Sequence, residues 1–436
     1  MKLLLPLLAI SLAAAPAAAH AKLSAAEARI VRTVDQEQPR SVALLERLVN
    51  QNSGSLNLSG VEAVGRMMRA ELEPLGFTVR WVPMAEVGRA GHIVATHKGS
   101  GRGRRMLLIG HLDTVFEPDS PFQRFARKDA RTAEGPGVGD DKGGMVVMVA
   151  ALRAMQAAGT LKDADIEIVL TGDEEDAGNP IEVARRDLVG AAGRSDVALD
   201  FEGLAQEEGR DMGSIARRGS ASWQVTAKGR TGHSSGIFSP SAGNGAIYEL
   251  ARILAAFRSE LPEPNLTFNV GLVAGGTTAE LDRDLIRATA TGKTNIIPPI
   301  AIARGDLRAL SLEQQQRVMA KMRGIVGSHL AGTEAEIAFD DGAYPPMAPT
   351  EASRALLARL NLVNRDLGLP VMGEFDPLKR GAGDIGFVAH LLPGLVGLGT
   401  AGQGAHAAGE TVDLDSIPRQ AKRAAILMSR LAAEKR

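Results

Sequence analysis

The stretch MLLIGHLDT, residues 106–114, indicates the fold most directly, because an uninterrupted apolar run ends in residues that can carry chemistry. Apolar runs without polar alternation are typical of strands that are buried on both faces of a parallel sheet. His111 and Asp113 therefore follow a predicted buried strand. In an open α/β sheet, the active site forms outside the carboxyl ends of such strands.

The same arrangement recurs along the chain, where four further potential metal ligands follow apolar segments. Asp140 lies in GVGDDKGG, Glu175 in TGDEED, Glu202 in LDFEG and His406 in GQGAHAAG. Carboxylate oxygens and imidazole nitrogens are ligands that zinc accepts in proteins. The pattern therefore predicts a two-metal hydrolase.

Composition limits the fold and the partners. At 436 residues the chain is too long for one core of usual size, and 44% apolar residues are ample for two domains. The formal net charge of -1 gives no general attraction to nucleic acid, so we expect no nucleic-acid partner. The absence of cysteine excludes disulfides, thiolate metal ligands and a cysteine nucleophile.

Residues 1–21 have the features of a secretory signal peptide. Lys2 precedes the apolar run LLLPLLAISLAAA, and the small residues that follow allow cleavage after Ala19 or Ala21. No other segment approaches the roughly 20 continuous apolar residues of a membrane helix. We therefore expect an exported protein, periplasmic or secreted, with no membrane partner.

Residues 22–213 alternate predicted strands with predicted helices, and the pattern resumes over residues 340–436. DIEIVL and DVALDF are predicted strands, and MVVMVAALRAMQAAG is a predicted buried helix that Gly159 closes. The predicted fold class is α/β, with helices on both faces of the sheet.

Residues 214–339 follow a different pattern, in the order strand, helix, two strands, helix, strand. This order predicts a ferredoxin-like α+β domain, inserted into the first through hinges near Gly213 and residues 340–342. Ser311 and Gln314 form a predicted capping box at the start of its second helix.

Together these motifs resemble the M20 family of zinc metallopeptidases, and within it the glutamate carboxypeptidase (carboxypeptidase G2-like) branch. The most specific parts are His-x-Asp at His111, Asp-Asp-Lys-Gly-Gly from Asp140 and Asp-Glu-Glu from Asp173. The resemblance implies a zinc-exopeptidase-type sheet with an inserted lid domain. In the family this domain is also the dimerisation surface, so the resemblance implies a homodimer.

The resemblance also implies two Zn²⁺ ions per subunit, for which Co²⁺ could substitute. Asp140 would bridge the ions, His111 and Glu202 would complete one site, and Glu175 with His406 would complete the other. Three carboxylates against two dications leave a charge of about +1, which suits hydrolytic chemistry.

Two further residues have predicted catalytic roles. Asp113 would accept the second N–H of His111 and fix its tautomer. Glu174 would be the general base that later protonates the leaving amine. One ligand choice stays open, because Asp200 lies two residues before Glu202 on the same strand face. The Phe-Glu pair of the carboxypeptidase branch favours Glu202.

On the substrate side, the resemblance implies that His233 reaches the active site of a partner subunit and stabilises the oxyanion. Arg308 and Asn295 would contact the substrate, and Arg308 can grip a carboxylate with two hydrogen bonds. Gly383 and Asp384 resemble a glycine-rich loop that lines the substrate pocket. The alternatives are a surface-loop histidine and an ordinary exposed arginine.

One segment departs from the family pattern. AELDRDLIRATATGK lies between Gly276 and Asn295, where family members need only a few residues. This insertion could reshape the pocket or the dimer edge.

Three other functional classes are weaker. GHSSG fits a serine hydrolase with Ser234 as nucleophile, but the loop that follows contains Pro240 and no helix. GAGDIG, residues 381–386, has dinucleotide-binding spacing, but no buried strand precedes it. A zinc-binding scaffold without catalysis is disfavoured because Glu174 is present.

The sequence therefore predicts an exopeptidase that cleaves the amide next to a C-terminal, acidic amino acid. The substrate would be a small peptide or an amino-acid conjugate. The alternative is an N-acyl amino acid amidohydrolase that uses the same two-metal site.

Overall fold

The computed structural model describes residues 23–283 and 285–435. The predicted signal peptide, residues 1–21, lies outside the described residues. The helices are α1 (Ala25–Asn50), α2 (Leu58–Leu72), α3 (Lys142–Ala158), α4 (Ile181–Ala184), α5 (Arg186–Ala192), α6 (Ala246–Glu260), α7 (Leu312–Val326), α8 (Glu351–Asp366) and α9 (Ser416–Ala433).

The strands fall into one large sheet, a second four-stranded sheet and several short ribbons. They are β1 (Thr78–Pro83), β2 (Gly91–His97), β3 (Met106–His111), β4 (Ala126–Arg127), β5 (Thr132–Glu134), β6 (Ile166–Thr171), β7 (Val197–Asp200), β8 (Gln206–Glu207), β9 (Arg210–Asp211), β10 (Ala221–Gly229), β11 (Gly232–His233), β12 (Thr267–Gly276), β13 (Thr278–Leu281), β14 (Ala288–Thr291), β15 (Ile296–Ile297), β16 (Ile300–Arg308), β17 (Thr333–Phe339), β18 (Gly394–Val396), β19 (Gly402–Gln403) and β20 (Thr411–Asp413).

The central sheet has the strand order β1-β2-β6-β3-β7-β18. Strands β6, β3, β7 and β18 run parallel to one another, whereas β2 is antiparallel to both of its neighbours. The carboxyl ends of β3, β6 and β7 therefore lie at the same edge, where the predicted ligands follow them. This mixed sheet with crossover helices confirms the predicted α/β fold class.

Strand β3 shows why its sequence is apolar without alternation. Leu108 belongs to the core on one face of the sheet, with α1, α2, α3 and α9. Leu107 and Ile109 belong to the core on the other face, with α4 and α5. Because successive side chains point to opposite faces, a strand covered on both sides must be apolar at every position. Helices on both faces of the sheet confirm the prediction.

The second sheet has the order β12-β16-β10-β17, and each neighbouring pair is antiparallel. Trp223 and Val225 of β10 pack against α6 and α7 in a separate core. This is the predicted split β-α-β order. Ser311 does accept a hydrogen bond from the Gln314 N–H, but the Gln314 side chain bonds the N–H of Leu310 instead of completing the capping box.

The two segments that connect the sheets lie side by side. Arg217 pairs with Met347 and Ser220 with Tyr344, each as an antiparallel bridge. The segment after Gly276 forms a separate two-stranded ribbon of β13 and β14 beside the second sheet. The exact domain boundaries and the roles of the second domain as lid and dimerisation surface stay predictions.

Among residues 23–283 and 285–435, no helix combines the length and apolar character that crossing a membrane requires.

Candidate active site

The carboxylate of Asp140 faces two imidazoles at once. Its Oδ1 lies 3.0 Å from Nε2 of His111, and its Oδ2 lies 3.1 Å from Nε2 of His406. Glu202 Oε1 lies 3.6 Å from His111 Nε2, and Glu175 Oε2 lies 3.1 Å from His406 Nε2. Two groups of potential ligands thus share Asp140, and the ligand atoms in each group lie within 4.8 Å of one another.

These separations fit zinc. Ligand atoms at about 2.0–2.2 Å from a tetrahedral zinc ion lie about 3.3–3.6 Å from one another. The measured separations of 3.0 to 3.6 Å are close to that range. His111 and His406 both face Asp140 with Nε2. Imidazole nitrogen together with carboxylate oxygen is a usual donor set for zinc. The residues present therefore fit one divalent ion in each group.

The electrostatic field of the site also favours cations. Hydrogen bonds with Asp140 and Glu175 raise the pKa of His406 to about 11. Burial lowers the pKa of His111, but hydrogen bonds with Asp113, Asp140 and Glu202 outweigh it and raise the pKa well above its usual range. The carboxylates that stabilise a positive imidazole would also stabilise a bound dication.

Asp113 holds two parts of the site together. Nδ1 of His111 lies 3.1 Å from the Asp113 carbonyl oxygen and 3.4 Å from its carboxylate. The Asp113 carboxylate also accepts hydrogen bonds from the backbone N–H groups of Glu174 and Glu175, at 3.0 and 3.1 Å, and from Ser55 at 2.6 Å. Asp113 therefore orients the imidazole and also fixes the acidic loop, which the sequence did not reveal.

Glu174 and Glu175 follow β6 in a turn that brings both side chains to the same cavity. Burial raises the pKa of the Glu174 carboxyl well above its usual range. A carboxylate with a raised pKa is a stronger proton acceptor, as a general base requires. The Tyr344 hydroxyl donates to the Glu174 carbonyl oxygen at 2.7 Å and thereby anchors the backbone of the loop.

The geometry favours Glu202 over Asp200 as the ligand. Glu202 belongs to the group of His111 and Asp140, whereas Asp200 belongs to neither group among the described residues. Asp200 is fully buried, and its Oδ1 accepts the backbone N–H of Glu202 at 3.2 Å. Burial raises the pKa of Asp200 to about 7. Asp200 thus supports the backbone before the ligand.

Sequence reasoning missed Glu410, which fixes the loop that carries Asp140. Its carboxylate accepts the backbone N–H groups of Gly137, Gly139 and Asp140 at 2.9, 2.7 and 3.0 Å. Glu410 is buried and lies four residues after His406, so it ties two ligand loops together. No pattern in the sequence links position 410 to positions 137–140.

Sequence reasoning also missed two buried arginines. Arg217 Nη1 lies 3.0 Å from Glu202 Oε2, and the guanidinium donates to the carbonyls of Gly381 and Ala382. Because Arg217 contacts Oε2 of Glu202, the other oxygen, Oε1, faces His111. Arg185 joins Asp173 and Asp384, with both bonds at 2.6 Å, behind the acidic loop.

A cavity of about 490 Å³, here called the main cavity, lies beside the metal-capable groups. Its lining contains both acidic and basic side chains. These are Asp140, Glu174, Glu175, Glu202, His406, Arg217, Arg308, Lys379 and Arg380. Of the predicted substrate-side residues, Arg308 is the one that lines this cavity.

His233 and Asn295 lie together but away from the main cavity lining. They are exposed at the short ribbon of β11 and β15, where the Ser234 N–H donates to the Asn295 carbonyl at 2.9 Å. Nδ1 of His233 lies 2.8 Å from the Ser235 hydroxyl. Their predicted contact with a partner subunit's site stays a prediction.

The predicted substrate contact of Asp384 needs correction. Asp384 is buried, and its two oxygens accept hydrogen bonds from Arg185 and Thr171 at 2.6 Å each. It therefore stabilises the core behind the site and does not line the main cavity. Gly383 is buried too, and a side chain there would clash with the guanidinium of Arg217. Its role is to let Arg217 reach Glu202.

The two competing motifs find no structural support among the described residues. Ser234 begins a short 3-10 turn, Ser234–Gly236, and no α-helix follows it directly. The second half of GAGDIG lies in the 3-10 helix Asp384–Phe387, and no strand of the central sheet directly precedes the motif.

The comparisons with known proteins agree with the geometry. The chain matches the description "Peptidase family M20/M25/M40" over residues 107–430. It is 27% identical over 420 residues to carboxypeptidase G2 from Pseudomonas sp. (strain RS-16), covering 93% of this chain and 92% of that protein. It is 24% identical over 395 residues to succinyl-diaminopimelate desuccinylase from Leptothrix cholodnii, covering 86% and 95%.

The fold is also similar to that of a solved peptidase. Aminopeptidase PepT from Bacillus cereus ATCC 10987 superimposes with a TM-score of 0.72 at 18% identity, covering 91% of this chain and 99% of that one. The family uses a divalent metal, typically zinc, and the groups that share Asp140 can hold one. The chain therefore belongs to peptidase family M20/M25/M40 and is a metal-binding hydrolase of that family.

Proposed function

We propose that the protein is a zinc-dependent exopeptidase, a carboxypeptidase that hydrolyses the amide next to a C-terminal, acidic amino acid. One observation carries this proposal: two metal-capable groups share Asp140, and Glu174 lines the same cavity. The similarity to carboxypeptidase G2 over nearly the whole chain supports the choice of a carboxypeptidase.

In this proposal the chain binds two Zn²⁺ ions, for which Co²⁺ can substitute. Asp140 is shared, His111 and Glu202 hold one ion, and Glu175 and His406 hold the other. The ions supply a nucleophile at neutral pH and polarise the scissile carbonyl. Asp113 and Glu410 keep the ligands in place through the hydrogen bonds described above.

Glu174 is the proposed general base. Its carboxylate takes a proton from the attacking water and passes it to the leaving amine, so that the amine departs uncharged. Burial raises the pKa of Glu174, which strengthens the carboxylate as a base.

On the substrate side, Arg308 is the proposed partner of the C-terminal carboxylate, because its guanidinium lines the main cavity. His233 and Asn295 are proposed to act across a homodimer through the second sheet, with His233 stabilising the oxyanion in the partner's site. Their exposure supports a contact with another subunit.

An N-acyl amino acid amidohydrolase is the second candidate. The observation that favours it is the similarity to succinyl-diaminopimelate desuccinylases, one of which matches over 86% of this chain. The same side chains would act, with an acyl group in place of the peptide. We also propose export through the N-terminal segment; N-terminal sequencing of the mature protein would test cleavage after Ala19 or Ala21.

The test is hydrolysis of dipeptides ending in Glu, Asp, Arg or Leu, and of N-acetyl glutamate and N-succinyl amino acids, measured before chelation, after chelation and after zinc return. Activity on a Glu or Asp dipeptide that disappears with the metal and returns with zinc supports the carboxypeptidase. Preference for the N-acyl substrates replaces it with the amidohydrolase.

Two variants control this test. Glu174→Gln should lose activity while keeping its zinc, whereas Ser234→Ala should keep activity. Activity that survives chelation and depends on Ser234 would contradict the metal mechanism.

A further inference from the structure

A second cavity of about 170 Å³, here called the side cavity, lies next to the main cavity. The two cavities share the lining residues Asp140, Glu202, Arg380 and Ala405. The side cavity continues past Arg380 to Thr400 and the loop Gly402–Gly404. A substrate group in the main cavity could therefore extend into it.

Two residues that line the side cavity each have a buried polar atom without a partner. Nε of Arg380 and Oγ1 of Thr400 are buried without a hydrogen-bond partner within residues 23–283 and 285–435. Arg380 otherwise donates from Nη2 to the carbonyl of Gly203 at 2.9 Å. Buried polar atoms without partners are unfavourable, and in native proteins they commonly mark a place for a ligand or an ion.

Arg380 also differs from the other cations of the main cavity. Arg217 is 3.0 Å from Glu202, Arg308 is 3.0 Å from Asp306, and Lys379 is paired with Glu207. Arg380 has no carboxylate within 4.0 Å in the described part of the chain. Its positive charge is thus the one in this lining without a protein counterion.

The surroundings make this charge unfavourable without an anion. Burial, and then repulsion from Arg217, lower the pKa of the Arg380 guanidinium, although the more distant charges of Glu202, Asp200 and Asp140 oppose this effect. A guanidinium that is buried without a counterion costs free energy, which a bound carboxylate would offset with a charge-assisted hydrogen bond. Glu202 and Asp140 cannot do so once they bind metal.

Glu410 is a carboxylate in the same lining, but its oxygens are engaged elsewhere. Oε1 accepts N–H groups of Gly139 and Asp140, and Oε2 accepts the N–H of Gly137. Because both oxygens accept backbone N–H groups, Glu410 is directed at residues 137–140 and is not a counterion for Arg380.

We propose that Arg380 and Thr400 bind a second carboxylate of the substrate in the side cavity, in addition to the one assigned to Arg308. This inference rests on the proposed function and names the substrate class as doubly anionic. The carboxylate belongs to one of two sources: the side chain of the leaving amino acid, or an acidic acyl group such as succinyl. A cavity of 150 Å³ holds a six-atom ring, so about 170 Å³ holds either group.

Calorimetric titration of the zinc-loaded protein tests the inference without turnover. Two ligand pairs differ by one carboxylate: glutamate against glutamine, and succinate against succinamate. The wild type should bind the dicarboxylate of one pair at least about tenfold more tightly than its amide. The pair that shows this preference identifies the source of the carboxylate.

Substitutions then locate the preference. Arg380→Gln should reduce the ratio of the two affinities to about one or two, and Arg380→Lys should restore part of it. Thr400→Val should lower the ratio severalfold, whereas Thr400→Ser should keep it. Lys128→Gln is the matched control: it removes an exposed charge that Glu134 already neutralises outside both cavity linings, and the ratio should stay within about twofold.

A merely structural role for Arg380 gives a different result, because it would weaken both ligands of a pair equally and leave the ratio unchanged. Such a result overturns the inference, and so does a wild type without preference in either pair or a preference that survives in Arg380→Gln. If Arg380→Gln does not fold, Arg380→Lys and Thr400→Val decide. If the protein lacks peptidase and amidohydrolase activity, the proposed function fails, but the affinity ratios still decide this inference.

Discussion

The metal-capable groups at the central sheet and the predicted substrate residues near the second sheet differ in how completely one chain assembles them. At the central sheet, ligand atoms from residues far apart in sequence lie within 4.8 Å of one another. Near the second sheet, His233 and Asn295 are exposed and outside the main cavity lining, and Arg308 alone of the three lines it.

This difference has a physical basis. His111, Glu175 and Glu202 lie at or just after strands that are buried on both faces, and buried acceptors such as Asp113 and Glu410 fix the ligand loops. His233 and Asn295 lie on a two-residue ribbon with little buried support. The comparison indicates that the metal-capable groups are preorganised within one chain, whereas the proposed contact of His233 with an active site would need a second subunit.

The largest expected effect is that of Asp140→Ala. Removing the shared carboxylate takes a ligand from both groups, so we expect activity below detection and loss of bound zinc. Activity assays and elemental analysis of the dialysed protein measure both effects. Asp119→Asn, at an exposed carboxylate, is the control. Full activity of Asp140→Ala would contradict a catalytic role for the metal-capable groups that share Asp140.

Glu174→Gln should come next. We expect kcat to fall about a hundredfold to ten-thousandfold, because the proton carrier is lost while the ligands remain. Zinc content and the thermal midpoint should change little. Steady-state kinetics combined with metal analysis check this, and a variant that loses zinc in parallel with activity would assign Glu174 to metal binding instead.

His233→Ala tests the second half of the comparison. We expect kcat to fall about a hundredfold to a thousandfold, since an oxyanion donor is removed. If His233 acts across the dimer, mixing His233→Ala chains with Glu174→Gln chains should recover about one quarter of wild-type activity, because half of the dimers regain one complete site. Subunit exchange without recovery would contradict action across subunits.

Glu410→Gln should have the smallest effect. The amide keeps the shape but loses the charge that fixes three backbone N–H groups, so we expect about a tenfold to hundredfold loss in metal affinity or activity. Glu86→Gln, at an exposed glutamate, is the matched control. Competition of the protein with a zinc indicator measures the zinc affinity. Unchanged affinity with unchanged activity would show that the loop of residues 137–140 does not need the Glu410 carboxylate.

The sequence predicted the fold class and the convergence of the ligands because both depend on simple periodicities. Apolar runs predict buried strands, and parallel buried strands end at one edge, where His111, Glu175 and Glu202 lie. The expectation that Asp140 and His406 also follow buried strands was wrong, because they follow the short strands β5 and β19 of a separate small sheet. The order of strands and helices likewise predicted the second sheet. These inferences need no knowledge of side-chain contacts.

The supporting contacts could not be predicted in this way. Glu410, Arg217 and Arg185 act on residues that are distant in sequence, and their roles depend on three-dimensional packing alone. The placement of Asp384 has the same cause: the resemblance to a glycine-rich pocket loop predicted a substrate contact, whereas Arg185 holds Asp384 in the core. A motif gives the position of a side chain in the chain, but not the direction in which it points.

Zinc stoichiometry tests the central claim most directly. Equilibrium dialysis against buffered zinc followed by elemental analysis should give two ions per chain for the wild type. It should give about one for His406→Ala, because one group of ligands stays complete. A wild type that binds no zinc, or only one ion at saturation, would contradict the shared role of Asp140, and so would an Asp140→Ala variant that keeps two ions.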